Sequence, residues 1–266
     1  MLVKNIFIAS PVYGATLSTH FFWSLHNTCE LLREKNIKYQ LQFFDGPYLD
    51  HNRNTLIIDF MKSDYDYIFF LDTDVVWNPN QFINFLQKVD SEVNVLSGLY
   101  PNKKLINDNN FILDILNNNL DFETHSAIPH FTKADILGYN ENKKLLEFRK
   151  VPAGFLLLSK TFLQKIADNN KDLWYTDSSI YSTDLLTFPY FKTVITNKLE
   201  GYKALHDTNF YLGEDFYFCN LVKKENEIIW ADPDINLGHQ GTHVFRCDWD
   251  IMTKNLEFHL DSIYND

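Results

Sequence analysis

With 266 residues, 45% of them hydrophobic and 16% aromatic, the chain can bury a sizeable core in one large domain or two small ones. A formal net charge of −11 and a pI near 5.2 leave no basic field to attract nucleic acid or an anionic membrane. Cys29, Cys219 and Cys247 are scattered, without metal-type spacing or a disulfide framework, and fit a reducing compartment.

The opening MLVKNIFIAS suits a first strand better than a signal peptide, and no stretch is long and apolar enough to span a bilayer. A cytoplasmic protein is therefore expected. Asn5 to Ala9 reads as a strand, and Ser10 to Ser18 carries Pro11 and Gly14 as breakers. Phe22, Leu25, Cys29 and Leu32 then recur at helical spacing as far as Asn36. Tyr39, Leu41 and Phe43 alternate with polar residues, as in a half-exposed strand. After Gly46-Pro47, Asn52 to Lys62 puts Leu56, Ile57, Phe60 and Met61 on one helical face. Tyr67 to Leu71 is a short, wholly apolar run that predicts a buried parallel strand ending at Asp72-Thr73-Asp74. Asn78 can cap and Pro79 can start a helix facing inward with Phe82, Phe85, Leu86 and Val89, and Val93 to Leu96 is another strand. This alternation predicts an α/β protein with a doubly wound, mainly parallel sheet.

After Gly98 the pattern changes. Asn107 to Asn119 is Asn-rich and Glu123 to Glu141 has no clear period, which predicts an irregular insertion over the sheet edge. Leu145 to Phe148 and the apolar run from Phe155 follow, then a helix capped by Ser159. Trp174 to His206 is again irregular and rich in Tyr, Thr and Phe. Glu214 to Glu225 reads as a helix with Phe218, Leu221 and Val222 inward, Ile228 to Trp230 as a short strand, and Ile235 to Gly241 as a loop ending Gly-His-Gln-Gly. With no internal repeat and no linker, residues 1–266 are expected to form one domain.

Asp72 and Asp74 carry the clearest chemical signal. Open α/β sheets bind ligands in the crevice outside the carboxyl ends of their strands, and two acids so spaced suit a divalent cation held against phosphate oxygens. The same spacing occurs at Asp64/Asp66, Asp232/Asp234 and Asp248/Asp250, where a solvated turn explains it; only Asp72/Asp74 follows an uninterrupted hydrophobic strand.

ASPVYG, DHNRNTLIIDFM, FFLDTDVVWNP, SGLYPNKK, VPAGFLLLSK, YLGEDFYFC and INLGHQG, in that order, resemble the motifs of GT-A-fold, metal-dependent nucleotide-sugar glycosyltransferases of the small bacterial and large-DNA-virus type. The resemblance runs from Asn5 to Gly241. It implies a GT-A (Rossmann-like) fold with helices on both faces of the sheet, a nucleotide-binding half over 1–104, an acceptor-side half over 105–245 and a tail over 246–266. It further implies a nucleotide-sugar donor, with UDP as the nucleotide, and Mn²⁺ (or Mg²⁺) as cofactor. By the same resemblance Pro11, Val12 and Tyr13 seat uracil and ribose, Arg53 and Gly154 lie on the donor side, Asp72 contacts ribose or metal-bound water, and Asp74 and His239 complete the metal set with Asp72. Glu214 and Asp215 face the reacting sugar carbon, with Asp215 as the base in an inverting enzyme.

Each of these residues has a plainer alternative: Tyr13 as a packed aromatic in a turn, Arg53 as a solvated surface side chain, His239 as a structural imidazole with His243 as rival, and Glu214-Asp215 as helix-start anions favoured by the dipole. Lys103 and Lys104 read equally as diphosphate contacts or solvated lysines. Two other functions fit part of the pattern. Asp72-Thr73-Asp74-Val75-Val76 matches the first motif of haloacid-dehalogenase-type phosphatases, and the aromatic stretch around Trp174, Tyr175 and Tyr181 fits a carbohydrate- or nucleotide-sugar-binding protein without turnover.

Overall fold

The structure is a computed structural model that describes residues 3–105, 113, 115–118, 120, 127–177, 185–196, 209–246 and 248–264. The first half runs β1 (Asn5–Val12), α1 (Thr19–Glu34), β2 (Lys38–Asp45), α2 (Leu49–Lys62), β3 (Tyr67–Leu71), β4 (Val75–Val76), α3 (Pro79–Gln87), β5 (Val95–Gly98), β6 (Pro101–Leu105) and β7 (Ala127–Pro129). It continues with β8 (Ile136–Asn140), β9 (Leu145–Phe148), β10 (Phe155–Ser159), α4 (Lys160–Asn169), β11 (Tyr175–Asp177), β12 (Leu185–Thr187), β13 (Val194–Thr196) and β14 (Phe210–Leu212). The last elements are α5 (Glu214–Lys224), β15 (Ile229–Asp232), β16 (Gly238–Gln240), β17 (Val244–Arg246) and α6 (Trp249–Tyr264).

Eight strands form the central sheet in the order β2-β1-β3-β10-β5-β15-β9-β8. β2, β1 and β3 are parallel, β10 lies antiparallel between β3 and β5, and β15 is parallel to β5. With β9 antiparallel to β15 and β8 to β9, only β10 and β9 run against the other six. The sheet is mainly parallel, as expected. Its inner strands β1, β3, β10, β5 and β15 are buried on both faces because neighbouring residues feed two different cores. Phe7, Ala9, Ile68, Phe70, Leu156 and Leu158 point to the side covered by α2, α4 and α5. Ile6, Ile8, Phe69, Leu71, Phe155 and Leu157 point to the side covered by α1 and α3.

The helices start where their polar signals stand. Ser18, Asn78 and Ser159 accept hydrogen bonds from the amides of Phe21, Asn80 and Phe162 at 3.0, 2.9 and 3.2 Å. The inward stripe of α1 begins one residue earlier than expected, with Phe21 buried and Phe22 exposed. The polar members of that stripe are satisfied: Ser24 Oγ donates to Trp77 O at 2.9 Å, and Trp77 Nε1 donates to Thr28 Oγ1 at 2.8 Å.

Three expectations need correction. β1 continues through Pro11 to Val12, because pairing with β2 persists where pairing with β3 has ended and a missing amide costs nothing on that side. The stretch Glu123 to Glu141 is not wholly an insertion, since β8 forms an edge of the central sheet; an edge strand half open to water carries no apolar period. Within Trp174 to His206, short ladders pair β11 with β12 and β13 with β14. Residues 106–112, 121–126, 178–184, 197–208 and Cys247 lie outside the described residues, as does the expectation for Tyr181. Cys29 and Cys219 are buried free thiols. Among the described residues no helix is long and apolar enough to cross a membrane.

Candidate active site

One edge of the sheet gathers the singled-out residues. β1, β3, β5 and β15 all end there, delivering Pro11 to Tyr13, Asp72, Tyr100 and the segment leading to His239. The antiparallel β10 begins at the same edge, so Gly154 arrives beside Asp72, whose amide donates to the Gly154 carbonyl at 2.9 Å. A cleft of about 230 Å³ opens here, lined by Pro11, Val12, Tyr13, Asn52, Asp72 and Asp74 among others. Tyr13 is 77% exposed, with its ring available to a ligand rather than committed to the core. Larger clefts of about 640 and 560 Å³ around Trp249 and Trp77 are lined by neither Asp72 nor Asp74.

Arg53 is the centre of the charge arrangement. It is 1% exposed, which rules out the solvated-surface alternative. Nη2 donates to both oxygens of Asp72, at 2.8 and 2.9 Å, while Nη1 donates to Glu214 Oε1. Burial alone would disfavour the guanidinium's charge, but Asp72 and Glu214 outweigh it and hold its pKa above the ordinary value. Its Cζ stands 5.5 Å from the Phe191 ring centroid. Arg53 thus ties a strand-end acid to a helix-start acid that lies 161 residues beyond Arg53 itself.

Asp215 follows Glu214 in the first turn of α5 and accepts from the Phe216 amide at 2.8 Å. Burial, reinforced by the Glu214 charge, pushes its carboxyl up to about 6 against the pull of Arg53. A carboxyl poised there can take a proton near neutral pH.

Asp74 lies in a separate group. β4 pairs antiparallel with β16, setting Val75 opposite His239, and the Gln240 amide donates to Asp74 O at 2.6 Å. His239 Nε2 comes to 3.5 Å from Asp74 Oδ2, and Lys103 Nζ pairs with the same oxygen. Burial pushes the Asp74 carboxyl up, but hydrogen bonds and charge from His239 and Lys103 prevail and hold it at about 2. Nδ1 of His239 stands 2.9 Å from Pro101 O. A carbonyl only accepts, so Nδ1 carries the hydrogen of this contact, and Nε2 is the ring atom turned toward the Asp74 carboxylate. That is how a metal-ligating imidazole is commonly oriented.

The expected metal set of Asp72, Asp74 and His239 needs correction, because Asp72 is turned to Arg53. Among the described residues no group of three His, Cys, Asp or Glu side chains could hold a metal ion. The donors that do converge, one carboxylate and one imidazole, fit a divalent cation whose remaining ligands come from a substrate or water.

Tyr100 and His130 carry no role in the sequence reading. Tyr100 Oη accepts from the Gly154 amide at 3.1 Å, and its ring stands 5.0 Å from His239 and 5.4 Å from His130. Burial, with the charges of His239 and Lys103, pushes His130 down to about 4. The only available signal for Tyr100 was its place in SGLYPNKK directly after a strand. Gly154 has no room for a side chain: an added Cβ would meet Tyr100 Oη and come within 2.7 Å of Asp72 Oδ2. Gly154→Ala should therefore displace Asp72 from Arg53. A loss of roughly 1–3 kcal/mol is expected in denaturant unfolding, the usual cost of overpacking.

No protein-family model matches the chain, and no curated protein sequence matches it. Among solved structures, the protein A197 from STIV is 17% identical over 93% of this chain and 91% of its own, with a TM-score of 0.47. A mutant Drosophila β-1,4-galactosyltransferase 7 in complex with manganese, UDP-Gal and xylobiose is 12% identical over 87% of this chain and 66% of its own, with a TM-score of 0.41. A glycosyltransferase involved in glycosylation of the major capsid of PBCV-1 is 13% identical over 67% and 70%, with a TM-score of 0.31. With TM-scores below 0.5, these likenesses assign neither a substrate nor a role to any residue.

Proposed function

We propose that this chain is a glycosyltransferase that moves a sugar from a nucleotide-sugar donor, with UDP as the nucleotide, to an acceptor hydroxyl. The observation that carries this reading is Arg53, which holds Asp72 and Glu214 together beside a cleft walled by the Pro11–Tyr13 loop. Tyr13 offers a ring for the base to stack on and a hydroxyl for the ribose. Asp215 takes the proton of the acceptor hydroxyl as its oxygen bonds to the sugar's anomeric carbon, and the bond from that carbon to the diphosphate breaks with its electron pair leaving on phosphate. Glu214, fixed by Arg53, orients the sugar while Asp215 works on the acceptor side. A divalent cation on Asp74 and His239 would neutralise charge on the departing diphosphate.

The phosphatase alternative requires Asp72 as a free nucleophile, yet both its oxygens accept from Arg53. A binding protein without turnover gains nothing from a carboxyl lifted to about 6.

Thermal unfolding with UDP and UDP-sugars, with and without Mn²⁺, tests the donor site. A ligand at a hundredfold its Kd stabilises by about 2.7 kcal/mol, which raises Tm by roughly 5–10 °C for a chain of this size. Mn²⁺-dependent protection is expected in the wild type and should vanish in Asp74→Asn, which keeps the side chain's shape and removes its charge. Equal protection in that variant would remove Asp74 and the cation from the reading.

A further inference from the structure

Asp74 receives a countercharge from within the chain. Lys103 Nζ lies 2.5 Å from Asp74 Oδ2, the oxygen that also faces His239 Nε2. The ammonium therefore stands where a cation shared by those two donors would act. Its strand is built to support them: Pro101 fixes His239 Nδ1 through its carbonyl, and Asn102 Nδ2 ties β6 to Pro129 O at 2.9 Å. The stem of Lys103 runs past Gly241, where an added Cβ would already touch Cδ and Cβ of the lysine at 3.5 and 3.6 Å. Both ends of the Lys103–Asp74 pair are 38% exposed, and an ion pair so open to water contributes little stability. The ammonium can leave Asp74 without unpacking the core.

We propose that Lys103 is an exchangeable counter-ion: it holds Asp74 toward His239 until a divalent cation takes that carboxylate, and its ammonium then passes to the donor's diphosphate. The inference rests on the reading of Asp74 and His239 as cation donors and of the adjoining cleft as the donor site. A divalent ion on Asp74 would stand beside the Lys103 ammonium that pairs with the same carboxylate, and two cations so close repel each other. A diphosphate gives Lys103 a better partner than the one it loses, since phosphate oxygens are strong acceptors for an ammonium. Lys103 therefore opposes cation binding in the free protein and favours it once diphosphate is present. Such a coupling is reciprocal, so the cation and the diphosphate strengthen each other's binding by one factor.

Free Mn²⁺ measured by electron paramagnetic resonance during titration, with and without UDP, tests the exchange in the wild type, Lys103→Met, Lys103→Arg and Lys104→Met. Lys103→Met should bind Mn²⁺ alone severalfold more tightly than the wild type, and the gain in Mn²⁺ affinity on adding UDP should shrink severalfold. Lys103→Arg keeps the charge and should retain both wild-type behaviours, as should Lys104→Met. A role confined to holding the fold would give the opposite sign, because Lys103→Met would then loosen the cation site. Mn²⁺ affinity and UDP enhancement unchanged in Lys103→Met would overturn the exchange while leaving the cation site standing. No Mn²⁺ binding by the wild type, with UDP or without it, would overturn the cation reading of Asp74 and His239 and the exchange with it.

Discussion

Asp215→Asn is expected to lose transfer by about 10²–10⁴-fold and, at neutral pH, to melt at a higher temperature than the wild type. The two effects share one cause. In the folded chain Asp215 keeps its proton up to about pH 6, whereas an unfolded aspartate releases it near 3.8. Between those values the folded state binds the extra proton, so stability falls as pH rises through the window, and above pH 6 the full penalty of a buried charge remains. One pKa unit is worth about 1.4 kcal/mol, so a neutral amide should recover on the order of 1–3 kcal/mol. A residue serving only as a helix-start anion predicts the reverse, a loss of roughly 0.3–1 kcal/mol. The sign of the change in Tm at pH 7.5 separates the two, and the kcat/KM of the wild type should fall as pH drops below about 6.

Arg53→Met should cost roughly 3–5 kcal/mol, because it leaves Asp72 and Glu214 facing each other without their shared cation. Arg53→Lys should be nearly as damaging, since one ammonium cannot reproduce a planar fork that spans two carboxylates. The partners, rather than the side chain's bulk, set the cost. Combining Arg53→Met with Asp72→Asn and Glu214→Gln should return most of the stability in urea unfolding while activity stays lost. A triple variant no more stable than Arg53→Met alone would show that the penalty comes from packing against Phe191 and not from the uncompensated acids.

What could be read from sequence was what depends on neighbours in the chain. Tyr67 to Leu71 declared a buried strand by composition alone, and Asn78-Pro79 and Ser159 marked helix starts through polar atoms that bond amides two or three residues away. The direction of β10 was not legible, because Phe155 to Leu158 is uniformly apolar and has no polarity along the chain. Nor was β8, whose half-exposed edge shows no period. The burial of Arg53 depends on Asp72, 19 residues on, and on Glu214 far beyond it, so its role as a bridge could not be seen from the sequence around it. Asp72 was separated from the cation donors for the same reason: spacing paired it with Asp74, while Arg53 claimed it through space.

Cleavage of a nucleotide-sugar at this sheet edge with Asp215 as base is tested by release of UDP from a panel of UDP-sugars in the presence of Mn²⁺, with water as the default acceptor. The wild type should release UDP from at least one donor, and Asp215→Asn should be slower by at least about a hundredfold at saturating donor. No UDP from any donor, together with inorganic phosphate released from a simple phosphate ester by the wild type and lost in Asp72→Asn, would contradict it and make the chain a phosphatase.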